Sequence, residues 1–457
     1  MRSTSVPDGD VADAFARALG AAARAPLPTA VAHEAKRALA NVLALAVGAS
    51  RHPGVDAIVA AAAATGGSAI APVLARPERV DAHFAALAAG FAAHVDDFDD
   101  THLATVIHPG AACMAVLVAL AETAAPDGPR ALAAFALGCE AQLRAGVAIS
   151  PEHYDRGWHI TGTCGVIGAV VTAALLLGFD DVALARAIRL AATMPLGQRD
   201  AFGTMAKAFH PGKAAANGIL AARLAARGDD APAGIIEDAR GFAAALSTRF
   251  DASQMLDGMG TRWELAANTY KPYPCGIVAH PSIDAALALR ERGVAPDAIA
   301  EVRAHCHPLV VDLMGNADPH DGLEARFSAI HGIAAAFCDG IVGLPQYETE
   351  RVLREDVRAV RARTTLVPSD AIARDAARLE ALLHDGGVVA ETVAHARGSA
   401  ARPLTDAELR AKVRLLTEPV LGEGSGERIF DAVLALDGAR DARTMIGAAA
   451  PTAAVHV

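Results

Sequence analysis

The sequence predicts a mainly α-helical protein with one large all-helical domain and a smaller α/β domain. Hydrophobic residues make up 53% of the chain but aromatic residues only 4%, and alanine is the commonest apolar type. Alanine has the highest helix propensity, and its small side chain lets helices approach one another closely. A chain of 457 residues also exceeds what a single hydrophobic core usually serves, which favours two domains.

The first part of the chain has the apolar spacing of packed helices. Proline and glycine mark several predicted helix ends, as Pro109 and Gly178 do. A further helix is predicted to open at Pro211 and to run to Ala226. The segments with helical spacing are 28–49, 83–95, 110–125, 130–148 and 162–178. We therefore predict an all-helical domain over residues 1–268.

The pattern changes after Tyr270. Short β-like alternation is predicted at 299–313, 357–367 and 386–398, with helices at 276–292 and 324–340 between these segments. This mixture predicts an α/β domain over residues 269–399. Helical spacing resumes at 403–416, so residues 400–457 are predicted to return to the first domain and to make it discontinuous.

Charge and composition exclude several classes of function. The net charge of -11 argues against nucleic acid and against an anionic membrane surface, both of which favour a basic face. The six cysteines form no closely spaced pair, so neither a disulfide framework nor a zinc site is expected. The most apolar stretch, 164–179, is short for a membrane span, and the N-terminal MRSTSVPDGDVADAF has no apolar segment of a secretory signal. We expect a cytoplasmic protein.

Lysine is rare in this chain. Only five of the 41 basic residues are lysine, and the other 36 are arginine. An acidic protein binds an anion only where its cations converge, and lysine supplies a compact amine whose pKa responds to burial. The lysines are Lys36, Lys207, Lys213, Lys271 and Lys412.

The densest polar cluster is HVDDFDDTHLATVIHPG, residues 94–110, directly before an apolar helix. Its four aspartates and three histidines are residues that exchange protons near neutral pH. They are also metal ligands, but the segment lacks the spacing of a calcium loop and the chain contains no HExxH. A solvated capping loop is the structural alternative.

Three further polar segments adjoin helices of small residues. RGWHITGTCGVIGA (156–169) places His159 before a helix start, which favours a carboxylate ligand, and its glycines do not have the spacing of a dinucleotide site. GTMAKAFHPGKAAANG (203–218) contains Lys207 and His210. TYKPYPCGIVAHPSIDA (269–285) contains Lys271 at the predicted domain junction, where pockets commonly form. A hydrogen-bonded core residue is the alternative for each histidine.

These segments carry a resemblance to a known family. DFDDTHLATVIHPGA, GWHITGTCGVIGA, GTMAKAFHPGKAA and KPYPCGIVAH, in this order, resemble signature segments of the MmgE/PrpD family. Weaker matches at EARFSAIHGIAAAFCDG and PLTDAELRAKV extend the resemblance over nearly the whole chain. Ala206 and His331 stand where the family usually has Thr and Tyr.

The resemblance implies a fold and a chemistry. It implies that the α/β domain is a lid, that the protein is a homodimer, and that it acts on a small polycarboxylate without a metal or an organic cofactor. Most family members act beside a carboxylate, and 2-methylcitrate dehydratase, cis-aconitate decarboxylase and iminodisuccinate epimerase are examples. By motif match the active-site residues fall on Asp97, Thr101, His108, His159, Lys207 and Lys271, with His102 and Tyr273 as additions.

We expect a hydro-lyase of the 2-methylcitrate dehydratase type. Lys207, Lys271 and Thr101 would bind carboxylates, aided for substrate binding by His102 and Tyr273. His108 and His159 would be the acid and base, and Asp97 would fix the protonation state of a histidine. The alternatives are an epimerase of the iminodisuccinate type, a cis-aconitate decarboxylase, and a family member that only binds carboxylates.

Overall fold

The computed structural model describes residues 10–451. Residues 1–9 and 452–457, which the sequence assigned to the ends of the helical domain, lie outside the described residues. The helices of the N-terminal part are α1 (Val11–Arg24), α2 (Thr29–Gly48), α3 (Pro53–Thr65), α4 (Ala82–His94), α5 (Pro109–Ala124), α6 (Gly128–Ile149), α7 (Glu152–Asp155), α8 (Ile160–Thr163), α9 (Gly165–Leu177), α10 (Asp181–Ala191), α11 (Met205–Ala225), α12 (Phe242–Leu246) and α13 (Ala252–Leu256).

The remaining elements are the later helices and all of the strands. The later helices are α14 (His280–Glu291), α15 (Pro308–Met314), α16 (Gly322–Ala325), α17 (Ala329–Asp339), α18 (Thr349–Val352), α19 (Glu355–Arg361), α20 (Asp406–Leu421), α21 (Ser425–Leu434) and α22 (Arg443–Ala448). The strands are β1 (Ala71–Pro72), β2 (Arg79–Val80), β3 (Asp100–His102), β4 (Asn268–Tyr270), β5 (Ile299–Cys306), β6 (Thr364–Pro368), β7 (Ala377–Leu383) and β8 (Val388–Val393).

The helices of the first part pack around one alanine-rich core. Helices α5, α6 and α9 are buried along most of their length. Two stretches, Gly128–Ile149 and Ile160–Leu177, are long and apolar enough to cross a membrane, and α2 with α3 would be a bent third candidate. Because 89% of the most apolar window of each straight stretch is buried inside the fold, their apolar surface is used in packing.

The α/β part contains a four-stranded sheet in the order β6-β5-β7-β8. β5 runs parallel to β6 and antiparallel to β7, and β7 runs antiparallel to β8. Helices α14 and α17 pack together beside the sheet. Side chains between Tyr273 and Ala381 form their own buried cluster, separate from the main core. From Leu404 onward the buried side chains belong to the main core again.

The mainly α-helical class is confirmed, whereas the domain boundaries at 269 and 399 and the lid role stay predictions. The helical part is not all-helical, which corrects the prediction. β1 pairs with β2, and β3 pairs with β4, as two short antiparallel pairs. Both are too short for a period-two pattern to be read from the sequence.

Three local predictions also require correction. Helix α11 begins at Met205, six residues before the predicted start, because Thr204 caps it and Pro211 is accommodated inside it. Residues 355–361 form α19 rather than part of a strand, and 308–314 form α15. Strand β7 was not predicted, because its alanines and leucines favour helix on propensity alone.

Small residues set the approach of α4 and α11. A Cβ atom added at Gly90 would lie 2.5 Å from the Cα atom of Gly212, and one added at Gly212 would lie 2.4 Å from the Leu87 carbonyl oxygen. Neither contact is possible for an alanine without moving a helix. Lys207 is in the first turn of α11, so the close packing of α4 against α11 also fixes the position of this predicted site residue.

We predict that Gly90→Ala lowers the free energy of unfolding by about 1–3 kcal/mol, because overpacking forces backbone shifts. Chemical denaturation of the purified variant measures this change. Gly447→Ala is the matched control, since a Cβ atom at Gly447 in α22 meets nothing within 4 Å. If both variants were as stable as the wild type, α4 and α11 would not be packed too closely to accept a methyl group at Gly90.

Candidate active site

A small, partly open cavity of about 40 Å³ lies where the main core meets the α/β part. It combines charged groups contributed by the helical part with apolar groups contributed largely by the α/β part. Its lining comprises Asp97, Thr101, Val106, His108, Tyr154, His159, Phe202, Lys207, Lys271, Gly276, Ile277, Val278, Leu313, Met314 and Phe327. Ligand sites commonly form at such junctions between two parts of a fold.

The pair of strands β3 and β4 brings distant segments of chain together at this cavity. Thr101 is opposite Thr269 in the antiparallel register, and the Thr269 hydroxyl donates to the Thr101 carbonyl at 2.5 Å. Lys271 follows β4 directly, so the register places it beside the segment that precedes β3. This segment contains Asp97, whose φ of 49° is in the left-handed region that aspartate tolerates better than most residues.

Asp97 lies between two lysines. Its Oδ2 atom is 2.9 Å from Lys271 Nζ, its Oδ1 atom pairs with Lys207 Nζ, and Lys271 also donates to the Asp97 carbonyl at 2.9 Å. Burial opposes ionisation of the carboxyl group, but Lys207 and Lys271 hold the pKa of Asp97 well below its usual range. Burial lowers the pKa of Lys207, and Asp97 opposes that shift.

Lys412 binds the two chain segments that carry Asp97 and Lys271. It is buried, and its Nζ atom donates to the carbonyl oxygens of Phe98 at 2.6 Å and of Lys271 at 3.0 Å. The ammonium group also lies 3.7 Å from the centre of the Phe98 ring. Helix α20 therefore ties the Asp97 turn to the Lys271 segment, so the C-terminal helices contribute to the geometry of the cavity.

Asp99 holds two histidines. Its Oδ2 atom is 2.7 Å from His94 Nδ1, and its Oδ1 atom is 3.0 Å from His108 Nδ1. Burial lowers the pKa of His94 to about 3 and also lowers the pKa of His108, with Asp99 opposing both shifts. Each neutral ring therefore has its hydrogen on Nδ1, which in His94 is donated to Asp99 and in His108 lies between Asp99 and the Thr101 hydroxyl at 3.3 Å, and leaves Nε2 as an acceptor. His108, at the N-terminus of α5, presents this acceptor to the cavity.

His159 is held differently. Its Nδ1 atom is 2.8 Å from His210 Nδ1, and its backbone N–H donates to the Gly197 carbonyl at 3.0 Å. Burial, followed by the charge of Lys207, lowers the pKa of His159 well below its usual range. Burial and Lys207 also lower the pKa of His210, to about 4. Both rings are therefore neutral near pH 7.

The opposite wall of the cavity is apolar. Phe202 and Phe327 lie with their ring centres 5.5 Å apart, and Lys207 Nζ lies 5.4 and 5.2 Å from the two ring centres. Both rings also line a larger outer cleft, which places them between the cavity and the surface. Ile277, Leu313 and Met314 continue the wall on the α/β side.

Four of these side chains have the spacing of a metal site. Ligand atoms of His94, Asp97, Asp99 and His108 lie within 4.8 Å of one another. However, Asp97 is already neutralised by two ammonium groups, and Asp99 is paired with the rings of His94 at 2.7 Å and His108 at 3.0 Å. A divalent cation would have to displace these partners, so the donor set fits a buried ion network better. The expectation of a site without metal or cofactor stays a prediction.

Comparison with known families decides the assignment of the fold. The N-terminal domain model of MmgE/PrpD proteins matches residues 13–255, and the C-terminal domain model matches residues 273–437. The chain belongs to the MmgE/PrpD family. The resemblance read from the four signature segments is thereby confirmed.

Several characterised MmgE/PrpD relatives are similar over most of their length. The chain is 28% identical to "Cis-aconitate decarboxylase" of Mus musculus, over 80% of this chain and 78% of that protein. Identity to the protein of the same name in Homo sapiens is 27%, over 79% and 78% of the two chains. Identity to the "Cis-aconitate decarboxylase" of Aspergillus terreus is 24%, over 75% of this chain and 76% of that protein. The prediction of a lyase of this family is confirmed at the level of the enzyme class.

The structure brings together six of the residues predicted from the family motifs. Asp97, Thr101, His108, His159, Lys207 and Lys271 all line the cavity. One predicted contact is corrected, because Asp99 rather than Asp97 contacts the histidines. The sequence could not distinguish the four aspartates of DDFDD, since only the turn at Asp97 decides which of them faces the lysines.

Two predicted substrate-binding residues lie outside the cavity lining. His102 uses both ring nitrogens elsewhere, with Thr105 Oγ1 at 2.9 Å and Glu264 at 3.5 Å. The Tyr273 hydroxyl donates to Asp284 at 2.5 Å in a separate surface cleft. The geometry gives their predicted role in binding no support. His331 is also remote from the cavity and bonds to the Gln346 carbonyl at 2.9 Å in the core.

Some functional residues were missed. His94 and Asp99 belong to a segment that the sequence marked as polar, but nothing in the sequence shows that they support His108 from behind. His210 carried a usable signal, since it is three residues after Lys207 and therefore on the same face of a helix. The apolar wall formed by Phe202 and Phe327 had no signal in the sequence, because it forms only when distant segments of the chain meet.

We predict that Asp97→Asn abolishes turnover and lowers the free energy of unfolding by about 3–5 kcal/mol, because it leaves two buried ammonium groups without a counter-ion. Chemical denaturation and an activity assay measure the two effects. Asp441→Asn is the control, since it removes only an exposed pair with Arg443. An Asp97→Asn variant as stable as this control would show that the two lysines are not held by the carboxylate.

Proposed function

We propose that this protein is a cofactor-independent lyase that decarboxylates a small unsaturated tricarboxylate of the cis-aconitate type. The observation that carries the proposal is the division of one cavity into a side with two lysines and an apolar side. The names of the relatives in mouse, human and Aspergillus terreus support the same reaction. The proposal replaces dehydration of 2-methylcitrate, our expectation from the sequence, with one of the alternatives.

The side with two lysines suits the carboxylates that stay on the substrate. Lys207 and Lys271 present two ammonium groups to the cavity, and Thr101 adds a hydroxyl donor. Charge-assisted hydrogen bonds from these groups would fix the substrate in one orientation. They would compete with Asp97 for the same ammonium groups, so the aspartate keeps the lysines in place when the cavity contains no substrate.

The apolar side suits the carboxylate that leaves. A carboxylate placed against Phe202, Phe327 and Leu313 loses its hydration, whereas the carbon dioxide formed from it is neutral and apolar. The C–C bond to this carboxylate breaks, and its electron pair moves into the adjacent double bond. The negative charge then spreads onto a carboxylate that remains, where the lysines stabilise it.

One proton completes the reaction. The decarboxylated carbon skeleton has one negative charge to neutralise at carbon, so each turnover releases one carbon dioxide and takes up one proton. His108 is the group best placed to deliver it: its neutral ring first takes up the proton on Nε2, and the Asp99 carboxylate behind it stabilises the protonated ring until the proton passes to carbon. A dehydratase would need a second acid for the departing hydroxyl group. His159 suits that task poorly, since its Nδ1 atom contacts another imidazole rather than a carboxylate that would stabilise its protonated form.

The test is a proton NMR time course in deuterated water, with cis-aconitate and 2-methylcitrate as separate substrates. We predict that cis-aconitate loses carbon dioxide and that its product gains one deuterium. His108→Gln should reduce kcat by roughly 100-fold or more, since general acid catalysis contributes on that order. His395→Gln, which changes an exposed histidine paired with Asp375, should leave kcat unchanged.

Other outcomes would overturn the proposal. Turnover of 2-methylcitrate with water loss, and none of cis-aconitate, would make the enzyme a dehydratase. Exchange of deuterium into either compound without loss of any group would favour an epimerase or isomerase. A His108→Gln variant with normal kcat would remove the proton donor from the mechanism.

A further inference from the structure

The contact between the rings of His159 and His210 restricts which of their ring nitrogens can have a hydrogen. Two imidazole Nδ1 atoms at 2.8 Å form a hydrogen bond only if one of them has a hydrogen and the other a lone pair. The two neutral rings must therefore be opposite tautomers at Nδ1. Since His159 lines the cavity and its Nδ1 atom faces His210, Nε2 is the atom that it presents to a ligand.

His210 is held firmly in this position. A Cβ atom at Gly197 would lie 3.0 Å from His210 Nδ1, and one at Gly162 would lie 3.1 Å from His210 Cβ. These glycines therefore allow the backbone on either side to close around the His210 ring. The Gly197 carbonyl also accepts the backbone N–H of His159, so one short segment aligns both rings.

The direction of the hydrogen bond follows from the chemistry of the cavity. His108 has a carboxylate behind it and presents a lone pair, whereas the His159 ring has another imidazole, that of His210, behind it. Of the other polar groups that line the cavity, Lys207, Lys271 and Thr101 can donate to an anionic ligand, and Asp97 is paired with the two lysines. A lone pair on His159 Nε2 would repel a carboxylate, while an N–H at the same atom would bind it.

We propose that His210 is a positioning residue that donates its Nδ1–H to His159 and thereby fixes His159 as the Nε2–H tautomer, a neutral hydrogen-bond donor to a substrate carboxylate. The geometry requires opposite tautomers of the two rings, whereas the direction of the hydrogen bond rests on the anionic ligand of the proposed function. The two cavity histidines then have different tasks. His108 exchanges a proton, and His159 binds.

A pair of variants of nearly equal size distinguishes the two directions. The amide of His210→Asn can donate to His159 Nδ1, whereas the carboxylate of His210→Asp can only accept, so at a pH well above the pKa of His159, where the ring is neutral, it would force the opposite tautomer. We expect KM for cis-aconitate to rise about 10- to 100-fold in His210→Asp, the effect of losing one hydrogen bond to a charged group, with a smaller change in kcat. His210→Asn should stay within about threefold of the wild type.

A measurement without turnover makes the test independent of the proposed reaction. Imidazole ¹⁵N NMR of the wild type, with His159 assigned from His159→Gln, should show hydrogen on Nε2 and none on Nδ1. Tricarballylate, a saturated tricarboxylate, should bind with a 10- to 100-fold higher Kd in His210→Asp and an unchanged Kd in His210→Asn.

Each result is decisive. A wild-type His159 with its hydrogen on Nδ1 would overturn the inference even if neither variant folds. Equal Kd values for the two variants would also overturn it, because His210 would then only fill space. If the wild-type enzyme leaves cis-aconitate unchanged but shows the predicted tautomer, the proposed reaction fails while the assignment of His159 and His210 stands.

Discussion

The buried arrangement Lys207–Asp97–Lys271 is the constraint on which the site depends. Two ammonium groups can lie side by side away from water only if a carboxylate separates them, and Asp97 pairs with both. This requirement fixes the left-handed turn at Asp97, the β3–β4 register and the start of α11 relative to one another. The cavity is therefore a consequence of ion pairing between segments that are far apart in the sequence.

The histidines complete the polar side of the cavity by a second set of contacts. Asp99 pairs with His94 and His108, while His159 contacts His210, so each cavity histidine has its Nδ1 atom engaged from behind. Because these partners differ in kind, the two cavity rings differ in character although the sequence presents them alike. A carboxylate behind the ring stabilises its protonated form and so supports proton transfer. A second imidazole behind the ring only determines which tautomer the ring adopts.

The sequence predicted the residues of the site better than their partners. Lys207 and Lys271 were found because their segments match the signature segments of the family and lie beside helices of small residues. The helices α2, α4, α5 and α6 lie close to the predicted ranges, since each is a long alanine-rich segment that begins at or just after a proline or an aspartate. The exchange of roles between Asp97 and Asp99 was missed because it depends on one backbone turn, and strand β7 was missed because its pairing is non-local.

The most direct test of this account is a calorimetric titration of tricarballylate into the wild type, Lys207→Met and Lys213→Met. Both lysines are on α11, but only Lys207 lines the cavity. Removal of one charge-assisted contact should raise Kd about 10- to 100-fold in Lys207→Met and leave Lys213→Met like the wild type. An unchanged Kd in Lys207→Met would contradict the claim that the Lys207–Asp97–Lys271 arrangement forms the anion site.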